Sequence, residues 1–524
     1  MVPGLHRLYL DFCTGNPAAR RFYAALPPHR GWQERPSLPA HWPEMVKVLA
    51  AQNPSPSAAL ALEALGKGAG TVVTGQQVGL FGGPLFTPFK AATAVARARQ
   101  ATAAGHAHTA IFWLASEDHD FAEINHVTFP ARRELRKLVY TSAPELPRPV
   151  GALVLDDTIV PLAEQAAELI GYSDAQEALT AAWRPGRTLA QAFAEFYAKI
   201  FAEQGLLIFD ASGREVHRMG APVLRAAIER ADEFHAALME RNGALEAAGY
   251  EAQVAVTSDS SLLFLMDERS GARLALKRGA PAAGEPSLWQ AGRQSYSTNE
   301  LLGILESQPE RISPSALLRP VFQDYLLGTS LTIGGPAEVA YFAQSGEIFD
   351  RILGRLTPIL PRLSATLIEP AVSELLHRHE LRLDGVLAGT QDSLRQLIAA
   401  RAMPVEGKER MAAAGNALDA ELTPLLDYMR ALDAGLGRSA ETAASKMRYQ
   451  MSRLRRLAAN FELVREASLA RHAEAISQSL YPHGVLQERL HGAAYYFARY
   501  GLELAEALVD QAMNPCPGHM ALWL

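Results

Sequence analysis

Between residues 70 and 116 the chain runs through a short β-branched segment, a glycine-rich loop, an alanine-rich stretch and a second apolar segment. Few folds accept that order. Residues 71–74 (TVVT), set close to glycines, have the length and side chains of a buried strand, and 110–116 (AIFWLAS) form another continuous apolar run of strand length. The Ala-rich stretch 89–104 between them reads as a helix, with Thr87 expected as its N-cap and Pro88 at the first helical position, where a missing N–H does no harm. Two strands joined by a helix make a βαβ unit, and that implies a parallel sheet. A second strand-to-helix turn is predicted over 330–344, where SLTI is followed by Gly334-Gly335-Pro336 and then AEVAYFAQ. Further strands are expected at 206–209 (LLIF), 253–257 and 262–266, and residues 268–312 read as an inserted, partly β region.

At 524 residues the chain exceeds one ordinary domain, and after Pro370 its composition turns almost wholly helical. Leu418, Leu422, Leu425, Met429, Leu432 and Leu436 follow a heptad seam. Past Gly435 and Gly437 the seam resumes in a shifted phase through Ala440, Ala444, Met447, Met451, Leu454, Ala458 and Phe461. Pro424 is expected to kink the first part. The reading is a core over 1–370, an antiparallel helical arm over 371–480, to which the stretch 371–402 folds back, and a segment 481–524 returning to the core.

Hydrophobic residues make up 48% of the chain, enough for a full core, and 50 Lys+Arg against 56 Asp+Glu leave a net charge of −6. That balance excludes the electrostatic footprint of a nucleic-acid binder. The local cluster Arg132, Arg133, Arg136 and Lys137 reads as a solvated face. Two cysteines, Cys13 and Cys516, rule out a disulfide framework and a cysteine-rich zinc site, and both are expected to be plain thiols in a reducing compartment. No apolar run approaches the ~20 residues that span a bilayer, and the N-terminus lacks the pattern of a secretory signal. A cytoplasmic protein without membrane contact is expected.

In open parallel sheets ligands bind beyond the carboxyl ends of the strands, and two polar motifs fall there. The first is 74–84, TGQQVGLFGGP. Its glycines allow close backbone approach, and two adjacent glutamines at a strand end are better substrate readers than turn residues. It matches neither a P-loop nor a Gly-x-Gly-x-x-Gly fingerprint. Lys90, downstream, reads equally as an anion ligand and as a surface lysine. The second motif is Glu117-Asp118-His119-Asp120, with Glu123, Asn125 and His126 close behind. Three carboxylates around one imidazole would favour its protonation and make His119 an acid or base. Helix capping by Glu117 and Asp118 is the alternative reading. No three-ligand metal spacing such as HExxH is present, so no metal site is evident.

At these residues the chain resembles the bacillithiol cysteine-adding enzymes, the BshC family. The resemblance rests on TGQQVGLFGGPLFTPFKAATA (74–94), FWLASEDHDFAEINHV (112–127), SPSALLRPVFQDYLL (313–327), IGGPAEVAYFAQ (333–344), PRLSATLIEP (361–370) and LYPHGVLQERLHGAAYYFARYG (480–501), with GHMALWL (518–524) closing the chain. The first 60 residues match weakly. The resemblance implies an α/β, Rossmann-like parallel-sheet core with connecting-peptide insertions, a long α-helical coiled-coil domain and a homodimer made through that coil. The implied reaction joins the carboxyl group of cysteine to the amine of glucosaminyl-malate. That condensation is uphill in water, so ATP is the expected activating nucleotide, although no His-x-Gly-His or Lys-Met-Ser-Lys signature is present.

In this reading Thr74, Gly75, Gln76, Gln77, Gly82 and Gly83 line a substrate pocket. His119 is the acid or base, oriented by Asp118 or Asp120. Asn125, Gly334, Gly335, Glu338, Tyr341 and Gln344 complete the rim. Gln487, Glu488 and Arg489 either contact the nucleotide or staple the arm to the core. The rival readings are a nucleotidyltransferase-like ligase acting on another amine and carboxylate pair, and a non-catalytic coiled-coil scaffold.

Overall fold

The computed structural model describes residues 5–26, 32, 36–131, 134–279, 288–514 and 518–524; Arg132, Arg133, Cys516 and residues 280–287 of the predicted insertion lie outside them. The described residues divide into two units, one within 3–365 and 488–520, the other within 366–487 and 521–524.

The first unit is built on five parallel strands: β1 (Gly70–Gln76), β2 (His108–Leu114), β3 (Leu207–Asp210), β4 (Thr329–Gly334) and β5 (Ile359–Pro361). Their order is β5-β4-β1-β2-β3, and every neighbouring pair is parallel. From β1 the chain adds β2 and β3 on one side and then β4 and β5 on the other. The order therefore reverses between β1 and β4, the place where such sheets open a ligand crevice. Residues 70–74 are buried, as continuous apolar strands of a covered parallel sheet must be, and burial relaxes only at Gly75 and Gln76.

Helix α1 (Phe86–Ala103) links β1 to β2, and α2 (Pro336–Leu353) links β4 to β5. Helix α1 is buried on nearly all sides from Thr87 to Ala96, and its alanines allow that close packing. It begins at Phe86 with Leu85 as N-cap, so Thr87 and Pro88 lie inside the first turn and Thr87 is not the cap. The first-turn N–H groups lack helical partners, so Pro88 is tolerated there.

The insertion forms a five-stranded antiparallel sheet in the order 312–314, 263–266, 273–278, 288–291 and 294–297, so its β structure begins ahead of residue 268. The strand expected at 253–257 does not form. Instead, the Gln344 carboxamide accepts from the Val254 N–H (2.9 Å) and donates to the Val254 carbonyl (2.9 Å), taking the place of a neighbouring strand.

The second unit is helical, with α3 (Val405–Leu432) and α4 (Ala434–Arg465) as its longest elements and only Asp433 between them. The Asp433 carboxylate caps α4 by accepting from the N–H groups of Gly435 and Leu436. Arg430 pairs with Glu441 and Arg448 with Asp419, so contacts converge on Asp433 and the two helices run antiparallel. Helix α3 is continuous across Pro424. The seam runs through Leu422, Leu426 and Ala444, with Leu418 and Ala440 beside them. Leu425, Leu432, Leu436, Met447, Leu454 and Phe461, expected in it, are exposed. Among the described residues no helix is long and apolar enough to cross a membrane.

Candidate functional site

Beyond the carboxyl ends of β1 and β4 lies a cavity of about 240 Å³. The β1 end contributes Gly75, Gln76 and Gln77; the β2 end Trp113, Ala115 and Asp118, with Glu123 behind; the start of α2 Gly335, Pro336, Ala337, Glu338, Tyr341 and Phe342. Phe86, Lys90, Arg319, Pro320, Gln323, Thr332, Arg362 and Arg489 complete the wall. The two motifs singled out from the sequence thus converge on one site.

Lys90 is the hub of the β1–α2 side. Its ammonium donates to the Gly75 carbonyl (2.8 Å) and Gln76 Oε1 (2.8 Å), and pairs with Glu338 Oε2 at 2.5 Å. Burial depresses the Lys90 pKa, and the Glu338 carboxylate opposes that shift. Glu338 also accepts from the Gly335 N–H (2.6 Å), which closes the first turn of α2. A side chain at Gly75 would put its Cβ 2.9 Å from the Trp113 carbonyl, so β1 and β2 can approach this closely only with glycine there.

On the β2 side, Gln77 Nε2 donates to Asp118 Oδ2 (2.7 Å) and Glu123 Oε2 (2.9 Å). Burial alone would raise the Asp118 pKa. The bond from Gln77 and that from the His119 backbone, aided by Arg319 and Arg273, outweigh burial and lower it, so Asp118 is ionised at neutral pH. Arg319 bonds the Tyr341 hydroxyl, whose pKa burial pushes up to about 12.

Several residues predicted for the site lie elsewhere. The His119 ring is not in the cavity wall. It sits against Phe264, and the Arg273 guanidinium lies 3.2 Å from its Nδ1. The expected ring of carboxylates does not assemble. Asp118 Oδ1 is 3.8 Å from the imidazole and accepts from the His119 backbone N–H instead. Asp120 caps the short helix Phe121–Ile124. Glu117 pairs at 2.9 Å with buried His217. Burial would lower the His217 pKa, but Glu117 outweighs it and raises it.

Thr74 is buried and donates to the Ile333 carbonyl. Gly82 and Gly83 form the left-handed turn after β1, where a Cβ on Gly82 would strike Phe196 at 2.6 Å. Asn125 bonds the Tyr140 carbonyl. Gly334 packs on Ile359, and Gln344 is fully buried on Val254.

Of Gln487, Glu488 and Arg489, the first two are bonded within the unit to which each belongs. Gln487 accepts from the Leu367 N–H and donates to the Leu367 and Ser479 carbonyls. Glu488 pairs with Arg362 (2.7 Å) and accepts from Ser364 and the Ala365 N–H. Arg489 alone lines the cavity.

Sequence reasoning left out Arg319 and Arg362, both of which stand within the quoted blocks. Each is an arginine beside a proline in an apolar run, a place where a charge needs a buried partner. Among the described residues no group of three or more His, Cys, Asp or Glu side chains is gathered as a metal site.

Two family profiles match the chain. Bacillithiol biosynthesis BshC, N-terminal Rossmann-like domain, covers residues 3–363, and Bacillithiol biosynthesis BshC, C-terminal coiled-coil domain, covers 365–523. A Koribacter versatilis protein named "Putative cysteine ligase BshC" is 40% identical over 530 residues, spanning 99% of this chain and 98% of the relative. A Solibacter usitatus protein of the same name is 34% identical over 482 residues, spanning 91% and 88%. Among solved structures, Mycobacterium tuberculosis methionyl-tRNA synthetase in complex with methionyl-adenylate aligns over 85% of this chain and 92% of that chain, with 12% identity and a TM-score of 0.25.

Proposed function

This chain belongs to the BshC family of bacillithiol biosynthesis, and from that premise we propose that it is a ligase joining cysteine to the amine of glucosaminyl-malate. The carboxyl carbon of cysteine forms an amide bond with the acceptor nitrogen, and one carboxyl oxygen leaves. In water that loss is unfavourable, so the oxygen departs on a phosphate or nucleotide supplied by ATP, and the acceptor amine sheds its proton on attack.

The observation that supports this reading is the cavity at the β1–β4 reversal, where ionised Asp118 and the cations Lys90, Arg319, Arg362 and Arg489 face one space with Gln76 and Gln77. Paired opposite charges around a small cavity suit substrates that carry both carboxylate and amine groups. Gly75, Gln76, Gln77, Gly335, Glu338 and Tyr341 hold the substrates in this scheme, and Arg489, which lines the same cavity, meets an anionic group such as a phosphate. Asp118 is the acidic motif's contribution to the cavity, and His119 acts on it only from outside. Thiol profiling of a deletion strain tests the assignment: bacillithiol should vanish and glucosaminyl-malate accumulate, whereas an unchanged thiol pool refutes it.

The same reading makes the protein a homodimer. Met447, Leu454 and Phe461 recur at seven-residue spacing on α4, as do Leu457 and Val464, and all five are at least half exposed. That is a second heptad face which the arm's own hairpin leaves uncovered, and a second copy of α4 would cover it.

A further inference from the structure

Two neighbouring glutamines line the cavity, and their bonding partners fix which end of each carboxamide faces inward. Lys90 has only donors, so the atom it holds on Gln76 must be the carbonyl oxygen Oε1, at 2.8 Å. The Gln76 NH₂ is therefore the end turned to the cavity. Asp118, held ionised, has only acceptors, and Glu123 stands with it, so the atom they hold on Gln77 must be Nε2, at 2.7 and 2.9 Å. The Gln77 carbonyl is the end left for the cavity. Chemically similar side chains thus present opposite polarity from adjacent positions. Arg319, in the cavity wall, adds positive charge near Tyr341, Asp118 and Glu338, and Asp118 with Glu123 adds negative charge behind the Gln77 side.

We infer that this pair is the amino-acid subsite and sets its orientation: a zwitterionic α-amino acid binds with its carboxylate at the Gln76 NH₂ and Arg319, and its ammonium at the Gln77 carbonyl, backed by Asp118 and Glu123. The inference rests on the proposed ligase reading and deepens it, since it directs the carboxylate to be activated toward the Lys90 and Arg319 side. Lys90 is a positioning residue here, because it acts on the ligand through Gln76.

Calorimetric titration of the full-length protein, in the presence of a non-hydrolysable ATP analogue, tests the orientation with four probes: cysteine, alanine, 3-mercaptopropionate, which lacks the ammonium, and cysteamine, which lacks the carboxylate. Gln76→Glu keeps the oxygen that Lys90 holds and replaces the inward donor with an acceptor. It should weaken cysteine and 3-mercaptopropionate by about tenfold or more and spare cysteamine. Glu123→Gln, at an exposed side chain, should weaken cysteine and cysteamine and spare 3-mercaptopropionate. Thermal melts confirm that both variants are folded. The opposite pairing, equal effects on all probes, or no amino-acid binding to the wild type overturns the inference. Alanine binding as tightly as cysteine, with the variant pattern intact, keeps the orientation and overturns the cysteine assignment alone.

Discussion

Replacing Lys90 by Met removes the charge from the most connected residue of the cavity wall while preserving most of its volume. The Lys90 side chain is 5% exposed and its partner Glu338 21%. Truncating one member of a fully buried pair costs about 3–5 kcal/mol, because the other charge is stranded. Glu338 is partly solvated and keeps its bond from the Gly335 N–H, which brings the expected loss down to about 2–3 kcal/mol. The double variant Lys90→Met/Glu338→Gln no longer strands a charge and should recover about 1 kcal/mol of that loss. Urea unfolding monitored by tryptophan fluorescence measures both, since Trp113 lies in the same wall. The Gln76 carboxamide, released from Lys90, should also turn freely, so the apparent KM for the amino acid rises in the single variant. A stability loss under about 1 kcal/mol, or a double variant no better than the single one, refutes the account of Lys90 as a buried, charge-paired hub.

His119→Asn should slow turnover less than about tenfold, because the ring is engaged by Arg273 outside the cavity; a loss of roughly 10²–10⁴ in a rate assay returns it to the chemistry. Glu488 is depressed below its ordinary pKa, since Arg362 and its other bonds outweigh burial. The stability it contributes is therefore present above the unfolded-state value of about 4.3 and lost as pH falls through the lower folded-state value. The melting-temperature gap between wild type and Glu488→Gln should be wide at pH 7 and narrow progressively as pH falls below the unfolded-state value; a constant gap contradicts it. Leu454→Glu with Phe461→Glu on α4 should yield a monomer by light scattering, and so should removal of 371–480, whereas a persistent dimer moves the interface elsewhere.

The β1–helix–β2 pattern was legible because continuous apolar runs and glycine punctuation report burial directly, and the two polar motifs were placed by topology alone. Which atoms of those motifs reach the cavity was not legible. Thr74 is the last inward residue of a strand, and one step along β1 separates it from Gly75 in the wall. The four ionisable residues 117–120 are dealt to four different partners by a tight turn whose course no periodicity records. Lys90 reads equally as an anion ligand and as a surface lysine because the elements that enclose α1 come from distant sequence. The strand expected at 253–257 has the right side chains, yet a sheet needs a neighbouring strand, and side chains bond it instead: Gln344 at Val254, and His235 and Ser260 at Thr257. On the arm, Leu425 and Leu426 offer two phases of one heptad, and helix geometry chose the second.

The most direct test of the central claim is mass spectrometry of a reaction containing the purified protein, ATP, cysteine and glucosaminyl-malate. The account predicts a product equal in mass to cysteine plus the acceptor less one water, formed by the wild type and strongly reduced in Gln76→Glu. No such product from folded wild-type protein, or undiminished product from Gln76→Glu, contradicts it.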